Sequence, residues 1–240
     1  MIKYFLLKIL KYFDLYYQLK LFNFLKKNNF LNFDVFFDVG AHEGESIILF
    51  SKNFNIKKIF SFEASPINFD KLLRNKKMIQ SKFKNLEINL ENYALGSVNK
   101  KIIIKQLSES SSSTINELDQ ESKYFKKKYF FLNMMKNKNF IKKIEVNQIM
   151  LSNYLEKRQI SKIDFLKIDT EGYEYNVLLG LEGHLQNVSL IMFEHHYHKM
   201  IIKNYSFSNI HDLLKKNKFK QIYKYKMPFR KTFEYIYKKI

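Results

Sequence analysis

Apolar and polar residues follow two different rhythms along this chain. Over the first 30 residues the rhythm is helical. Ile2, Phe5, Leu6, Ile9, Phe13, Tyr16 and Leu19 share one stripe, and Lys3, Lys8, Lys11, Asp14 and Gln18 share another. From residue 33 short apolar runs take over: Val35–Val39, Ile59–Phe62, Leu86–Leu90, Ile163–Ile168 and Leu190–Phe193. Each reads as a buried strand, and helical stretches lie between them. One helix runs through Ser46–Phe50, and another opens at Pro66, where the first turn tolerates a missing N–H. Strands alternating with helices predict βαβ units and an α/β fold, a doubly wound and mostly parallel sheet of Rossmann-like type.

The division expected is an amphipathic helical segment over 1–32 and one Rossmann-like domain over 33–240, with an insertion at about 108–143. Before the insertion, Lys101–Ile104 reads as a strand. Ser108–Thr114 reads as a polar loop, and lysines mixed with Tyr, Phe and Met fill 123–143. Ile144, Val146 and Gln148 alternate like a strand, and Ser152 is placed to cap a helix starting at Asn153. A helix over Ile210–Lys216 and strands over Phe219–Tyr225 and Phe233–Tyr237 complete the tail. A long insertion in a compact domain reads as a lid or binding loop.

Composition narrows the chemistry. With 46% hydrophobic and 17% aromatic residues, 240 residues can bury a sizeable core. The absence of cysteine excludes disulfides, thiolate zinc sites and Cys nucleophiles. The net charge is +19, yet only Arg74, Arg158 and Arg230 carry the planar fork that phosphate and base recognition favours. The charge therefore reads as a solvated lysine surface, and nucleic acid is not the expected partner. No apolar run reaches the roughly 18 residues of a spanning helix. Lys8 breaks the first apolar stretch and no small-residue cleavage site follows, which argues against a signal peptide. A cytoplasmic protein is expected. Its first 30 residues would either dock on the main domain or lie peripherally on the inner membrane face.

In an open parallel sheet, ligands bind beyond the carboxyl ends of the strands. The residues there are Asp38, Glu63, Asn92, Asp169 and Glu194, and four of the five are acidic in a strongly basic chain. The loop Asp38–Gly44 carries Gly40 and Gly44 but lacks the Gly-x-Gly-x-x-Gly spacing of dinucleotide binders. Glu43 and Glu45 would repel a pyrophosphate at the following helix. A carboxylate at Glu63 can accept both hydroxyls of a ribose. A glycine loop, an acidic strand end and no phosphate site together point to S-adenosyl-L-methionine, whose sulfonium is cationic. Beside it, His195 is the first choice as general base, with His196 adjacent and Asp169 as orienting group or alternative base. Lys167 is placed to neutralise a neighbouring carboxylate. Asp169, Glu171, Glu194 and His195 could converge on an oxygen-preferring cation, but their spacing assigns no metal.

Asp38-Val-Gly-Ala-His-Glu-Gly44, Phe62-Glu-Ala-Ser-Pro66, Asn92-Tyr-Ala-Leu-Gly96 and above all Ile163-Asp-Phe-Leu-Lys-Ile-Asp-Thr-Glu-Gly-Tyr-Glu174 resemble the FkbM family of methyltransferases. The resemblance runs in order from about residue 34 to residue 196. It implies an S-adenosylmethionine-dependent fold and methylation of a hydroxyl, often on sugars or polyketides. By position it implies that Asp38, Gly40, Ala41 and Gly44 hold the methionine part, that Glu63 holds the ribose, and that Asn92 and Ala94 border the adenine. Asp169 and Glu171 would stand beside the transferred methyl, with Glu194 near them. Ala64 and Ser152 depart from the family pattern without removing a cofactor contact. The expected acceptor is a small molecule or a glycan hydroxyl. The alternatives are an RNA or protein methyltransferase, or a non-catalytic module that kept the fold.

Overall fold

The computed structural model describes residues 16–107, 113–127, 141–181, 183–227 and 230–240. The elements run α1 (16–27), β1 (Asn32–Val39), α2 (Glu45–Asn53), β2 (Asn55–Phe62), α3 (Pro66–Lys82) and β3 (Glu87–Glu91). Next come β4 (Ala94–Leu95), β5 (Lys100–Leu107), β6 (Ser113–Thr114), β7 (Glu117–Leu118), α4 (123–127), β8 (Ile141–Ile149) and α5 (Leu151–Arg158). The chain closes with β9 (Ile163–Ile168), α6 (Glu174–Leu179), β10 (Val188–His196), β11 (Ile201–Ile202), α7 (Phe207–Lys216), β12 (Phe219–Lys226) and β13 (Thr232–Lys239).

Seven strands form the central sheet in the order β12-β13-β10-β9-β1-β2-β3. The five from β10 to β3 are parallel, and β13 is antiparallel to both of its neighbours. Strand order reverses at β1, so the crevice between β1 and β9 is the switch point where this architecture binds ligands. One face of the sheet packs on α5, α6 and α7 through Phe37, Leu166, Ile168 and Phe193. The other packs on α1, α2 and α3 through Phe36, Phe165, Leu190 and Met192. Phe36 and Phe165 stack across β1 and β9 with centroids 5.1 Å apart, and neither is exposed. Each such buried ring contributes about 1.5–3 kcal/mol.

A second sheet, β4-β8-β5-β6, stands beside the carboxyl ends of the first around Ala94, Ile102, Ile104 and Val146. Two-residue strands β7 and β11 pair with each other. The two long strands β5 and β8 match the expected strands at Lys101–Ile104 and from Ile144, whereas the two-residue strands leave no periodic signal. The expected insertion contributes β6 to the second sheet and holds β7 and α4; 108–112 and 128–140 lie outside the described residues.

Several sequence expectations need correction. Thr114 is in a strand, not in a polar loop. Helix α5 starts at Leu151 after Met150, so Ser152 lies in the first turn and its hydroxyl does not cap the helix. Residues 1–15 lie outside the described residues, and 16–27 do dock on the domain. The docked face, however, is Tyr17, Leu21, Phe22 and Leu25, while Tyr16 and Leu19 of the expected stripe are exposed. Among the described residues no helix is long and apolar enough to cross a membrane.

Candidate active site

The loop after β1 is pinned to its neighbours by backbone. Gly40 and Ala41 N–H both donate to the Phe62 carbonyl, at 2.9 and 3.0 Å, and Asp169 N–H donates to the Val39 carbonyl at 2.9 Å. The glycines serve the protein's own packing more than the close approach of a ligand. Gly40, at φ +84°, faces the Asp169 carbonyl, and Gly44, at φ +95°, faces Leu72 and Ile79 of α3.

Glu63 follows β2, is nearly fully buried, and accepts from His42 N–H at 2.8 Å and from Ser65 N–H at 2.9 Å. Burial raises its carboxyl, and the two amides oppose that rise. Each oxygen keeps acceptor capacity for a further donor. Ser65 and Asn68 bond Gln106 of β5 at 2.6 and 3.2 Å, which joins the end of β2 to the second sheet. The Asn92 side chain donates to the Glu63 carbonyl at 2.7 Å and so braces that corner. Ala94 lies in the core of the second sheet. Ser65, Asn68 and Gln106 were not identified from sequence, since nothing local marks a Gln on a distant strand as a partner of β2.

Asp38 is within β1 and fully buried. Lys167 of β9, its direct cross-strand neighbour, reaches it at 3.1 Å and reaches Asp169 at 3.6 Å. Burial works against the Lys167 ammonium, but Asp38 and Asp169 outweigh it and keep it charged. The expected neutralising role of Lys167 is the geometry found.

After β9 the chain turns through Asp169–Tyr173. Glu171, at φ +51°, has its carbonyl held by the Thr114 hydroxyl at 2.8 Å. Asn116 donates to the Gly172 carbonyl at 2.5 Å. Glu174, fully buried, accepts from Gly172 N–H at 2.8 Å, from the Thr170 hydroxyl at 3.2 Å and from the Tyr205 hydroxyl. Glu174 is thus the buried knot of the turn, a role that the spacing of the motif did not disclose.

Strand β10 continues through His196, beyond the point where its parallel partner β9 ends, because β13 goes on pairing with it to Thr232. Glu194, His195 and His196 are therefore strand residues and not a strand end. Side chains alternate, so Glu194 and His196 share the face of Met192, while His195 is on the face of Phe193. His195 sits among Tyr197, Tyr205 and Phe207, with its Nε2 3.3 Å from the Lys203 amine. Burial and Lys203 lower it to about 3, so its ring is neutral. His195 does not converge with Glu194, because the pleat separates them. Among the described residues no group of three His, Asp or Glu is arranged as a metal site.

His196 instead meets Glu171, Nε2 to Oε2, at 3.2 Å, and its Nδ1 meets the Thr232 hydroxyl at 2.9 Å. Burial alone would lower its pKa, but Glu171, Glu194 and Glu174 raise it to about 9. Glu194 is pushed up by burial and by Asp169. Ion pairs offset the burial of several of these carboxylates in part: Asp38 and Asp169 share Lys167, Glu171 has His196, and Glu43 has Lys71 at 2.7 Å.

A seven-stranded sheet with its last strand reversed, a glycine turn after β1 and a carboxylate after β2 define the class as a class I, Rossmann-like methyltransferase. Two solved structures share the fold. The methyltransferase FkbM of Methylobacillus flagellatus is 13% identical, with a TM-score of 0.53 over 85% of this chain and 43% of its own. The magnesium protoporphyrin IX methyltransferase of Synechocystis, solved with bound S-adenosylmethionine, is 7% identical, with a TM-score of 0.52 over 98% of this chain and 81% of its own. The chain thus spans less than half the length of the Methylobacillus protein. A comparison with curated proteins by sequence found no match. The model of the methyltransferase FkbM domain matches residues 38–221, and the chain belongs to that family, within the S-adenosylmethionine-dependent methyltransferases.

Proposed function

We propose that the chain transfers the methyl group of S-adenosyl-L-methionine to a hydroxyl, that of a sugar in a glycan or its precursor. The observation that carries this reading is that the buried Glu63 and the Asp169–Glu171 turn follow β2 and β9, the two strands that flank β1 at the switch in strand order. The donor set suits the cofactor. Glu63 keeps acceptor capacity for the two ribose hydroxyls, and the carboxylate of Asp169 suits a sulfonium. Lys71, the cation beside the first loop, is engaged by Glu43, which disfavours a pyrophosphate there. The cofactor, when bound, supplies an electrophilic methyl on a positively charged sulfur.

The chain's own residues then align and deprotonate. Glu63 fixes the nucleoside end, while Lys167 holds Asp169 from behind at 3.6 Å. The turn 169–172, clamped by Glu174, Thr114 and Asn116, presents Asp169 and Glu171 to the reacting centre. Alignment of this kind can supply up to about 7–11 kcal/mol, and a general base about a hundred- to ten-thousand-fold. A glycan acceptor rests on the family and on the lysine-aromatic insertion, whose rings can pack on sugar faces. Calorimetry with S-adenosylmethionine, followed by transfer of a radiolabelled methyl group to a glycan panel, tests the reading. Cofactor binding with methylation of at least one carbohydrate is expected. Indifference to every carbohydrate, with steeply salt-dependent methylation of RNA, would move the acceptor to nucleic acid.

A further inference from the structure

Resting on that reading, we propose that Asp169 and Glu171 divide the two reactants between them. Asp169 faces the sulfonium, Glu171 receives the acceptor's hydroxyl proton, and His196 is the positioning residue that locks Glu171 in place.

The division follows from what each carboxylate touches. Asp169 abuts the cofactor loop, with its carbonyl against Gly40, its N–H on Val39 and its carboxylate on Lys167. Glu171 lies two residues further on, and its partners belong to other elements. Its carboxylate meets His196 of β10 at 3.2 Å, and its carbonyl is held by Thr114 of the second sheet at 2.8 Å. His196 neighbours His198, whose ring stacks on Tyr124 of α4 at 4.3 Å, and Glu171 acts electrostatically on the Tyr124 hydroxyl. Glu171 therefore points toward the insertion, where an acceptor would enter, and Asp169 toward the first loop. The Glu171 side chain is 26% exposed and that of His196 only 6%, so the carboxylate is the member of the pair that a substrate can reach.

His196 is itself hydrogen-bonded through Nδ1 to the Thr232 hydroxyl, and its Nε2 lies at ion-pair distance from Glu171. The charged and titratable groups around it are Glu171 and Glu174 from the turn after β9, Glu194, His195 and His198 along its own segment, Lys203 on its carbonyl, and Glu234 two residues beyond Thr232 on β13. In the transfer step Glu171 receives the hydroxyl proton as the oxygen–carbon bond forms and the sulfur–carbon bond breaks, the electron pair of the broken bond remaining on sulfur. Atoms and charge balance without a further reactant.

The test needs no identified acceptor. Wild type, D169N, E171Q and H196Q are titrated calorimetrically with S-adenosylmethionine and S-adenosylhomocysteine, and the histidine imidazoles are followed by NMR against pH. D169N should lose about tenfold or more in S-adenosylmethionine affinity and narrow its preference over S-adenosylhomocysteine, while E171Q and H196Q stay within about twofold. The imidazole resonance missing in H196Q should titrate near 9 in wild type and at least about one unit lower in E171Q. If H196Q does not fold, T232V identifies the same resonance by its shift. E171Q weakening S-adenosylmethionine as much as D169N, or leaving the His196 titration unmoved, overturns the proposal. If wild type does not bind S-adenosylmethionine, the methyltransferase reading itself fails, while the imidazole titration still reports on the pair.

Discussion

A Cβ placed on Gly40 would lie 1.9 Å from the carbonyl oxygen of Asp169, so the first loop and the turn after β9 are packed backbone against backbone. Gly40 also sits at φ +84°, a region that side chains rarely adopt. Gly40→Ala thus combines backbone strain with a clash that no rotamer relieves. We expect a loss of about 3 kcal/mol or more in urea denaturation. A loss below about 0.5 kcal/mol would show that the two segments are not in contact.

Tyr205 donates its hydroxyl to the fully buried Glu174, whose other oxygen gathers Thr170 and Gly172. Tyr205→Phe keeps the ring and removes the donor, leaving part of a buried carboxylate unsatisfied. The expected cost is about 1–3 kcal/mol, with faster hydrogen exchange at Gly172 N–H. Unchanged exchange there would remove Tyr205 from the clamp.

Glu234 is 4% exposed, one of its oxygens finds no partner among the described residues, and burial pushes its carboxyl up to about 8. A carboxyl raised in the fold binds its proton more tightly there than in the unfolded chain. Its contribution is full below the unfolded value near 4.5 and is lost as pH rises toward 8. His196, raised to about 9, acts in the same direction between about 6.5 and 9. Glu234→Gln should therefore stabilise the protein at pH 8 by roughly 4 kcal/mol and change little at pH 4. Denaturant titrations at the two pH values measure this, and equal effects at both would contradict it.

Leu25 of α1 is fully buried in the cluster formed with Phe22, Phe50 and Phe54. Leu25→Ala should cost about 2–5 kcal/mol by differential scanning calorimetry if α1 is part of the folded domain. A cost below about 1 kcal/mol would mark the helix as an appendage.

Much of this architecture is legible in the apolar runs. Ile163–Ile168 is a strand as expected, and Pro66 does open α3, with Ser65 as its cap. What escaped was set by pairing with distant segments. Strand β10 outlasts its apolar run because β13 supplies partners for Glu194, His195 and His196. That extension decides which histidine shares a face with the carboxylates. The sequence makes His195 the first choice as base, whereas the pleat puts His196 on the face of the carboxylates. Thr114 and Asn116 lie more than fifty residues from the turn they hold, and the two-residue strands β6 and β7 that flank Ile115 and Asn116 carry no rhythm. A sequence does not show that the space beside Gly40 is filled by Asp169 and that beside Gly44 by Leu72.

The central claim is that Glu63 grips the ribose of S-adenosylmethionine across the switch-point crevice. Calorimetric titration of wild type and Glu63→Gln with the cofactor tests it most directly, with a melting curve of each to separate lost affinity from lost fold. Glutamine keeps the volume but gives up one acceptor oxygen. We predict micromolar-range binding that weakens about tenfold or more in the variant. A folded Glu63→Gln protein that binds the cofactor as tightly as wild type would contradict the account.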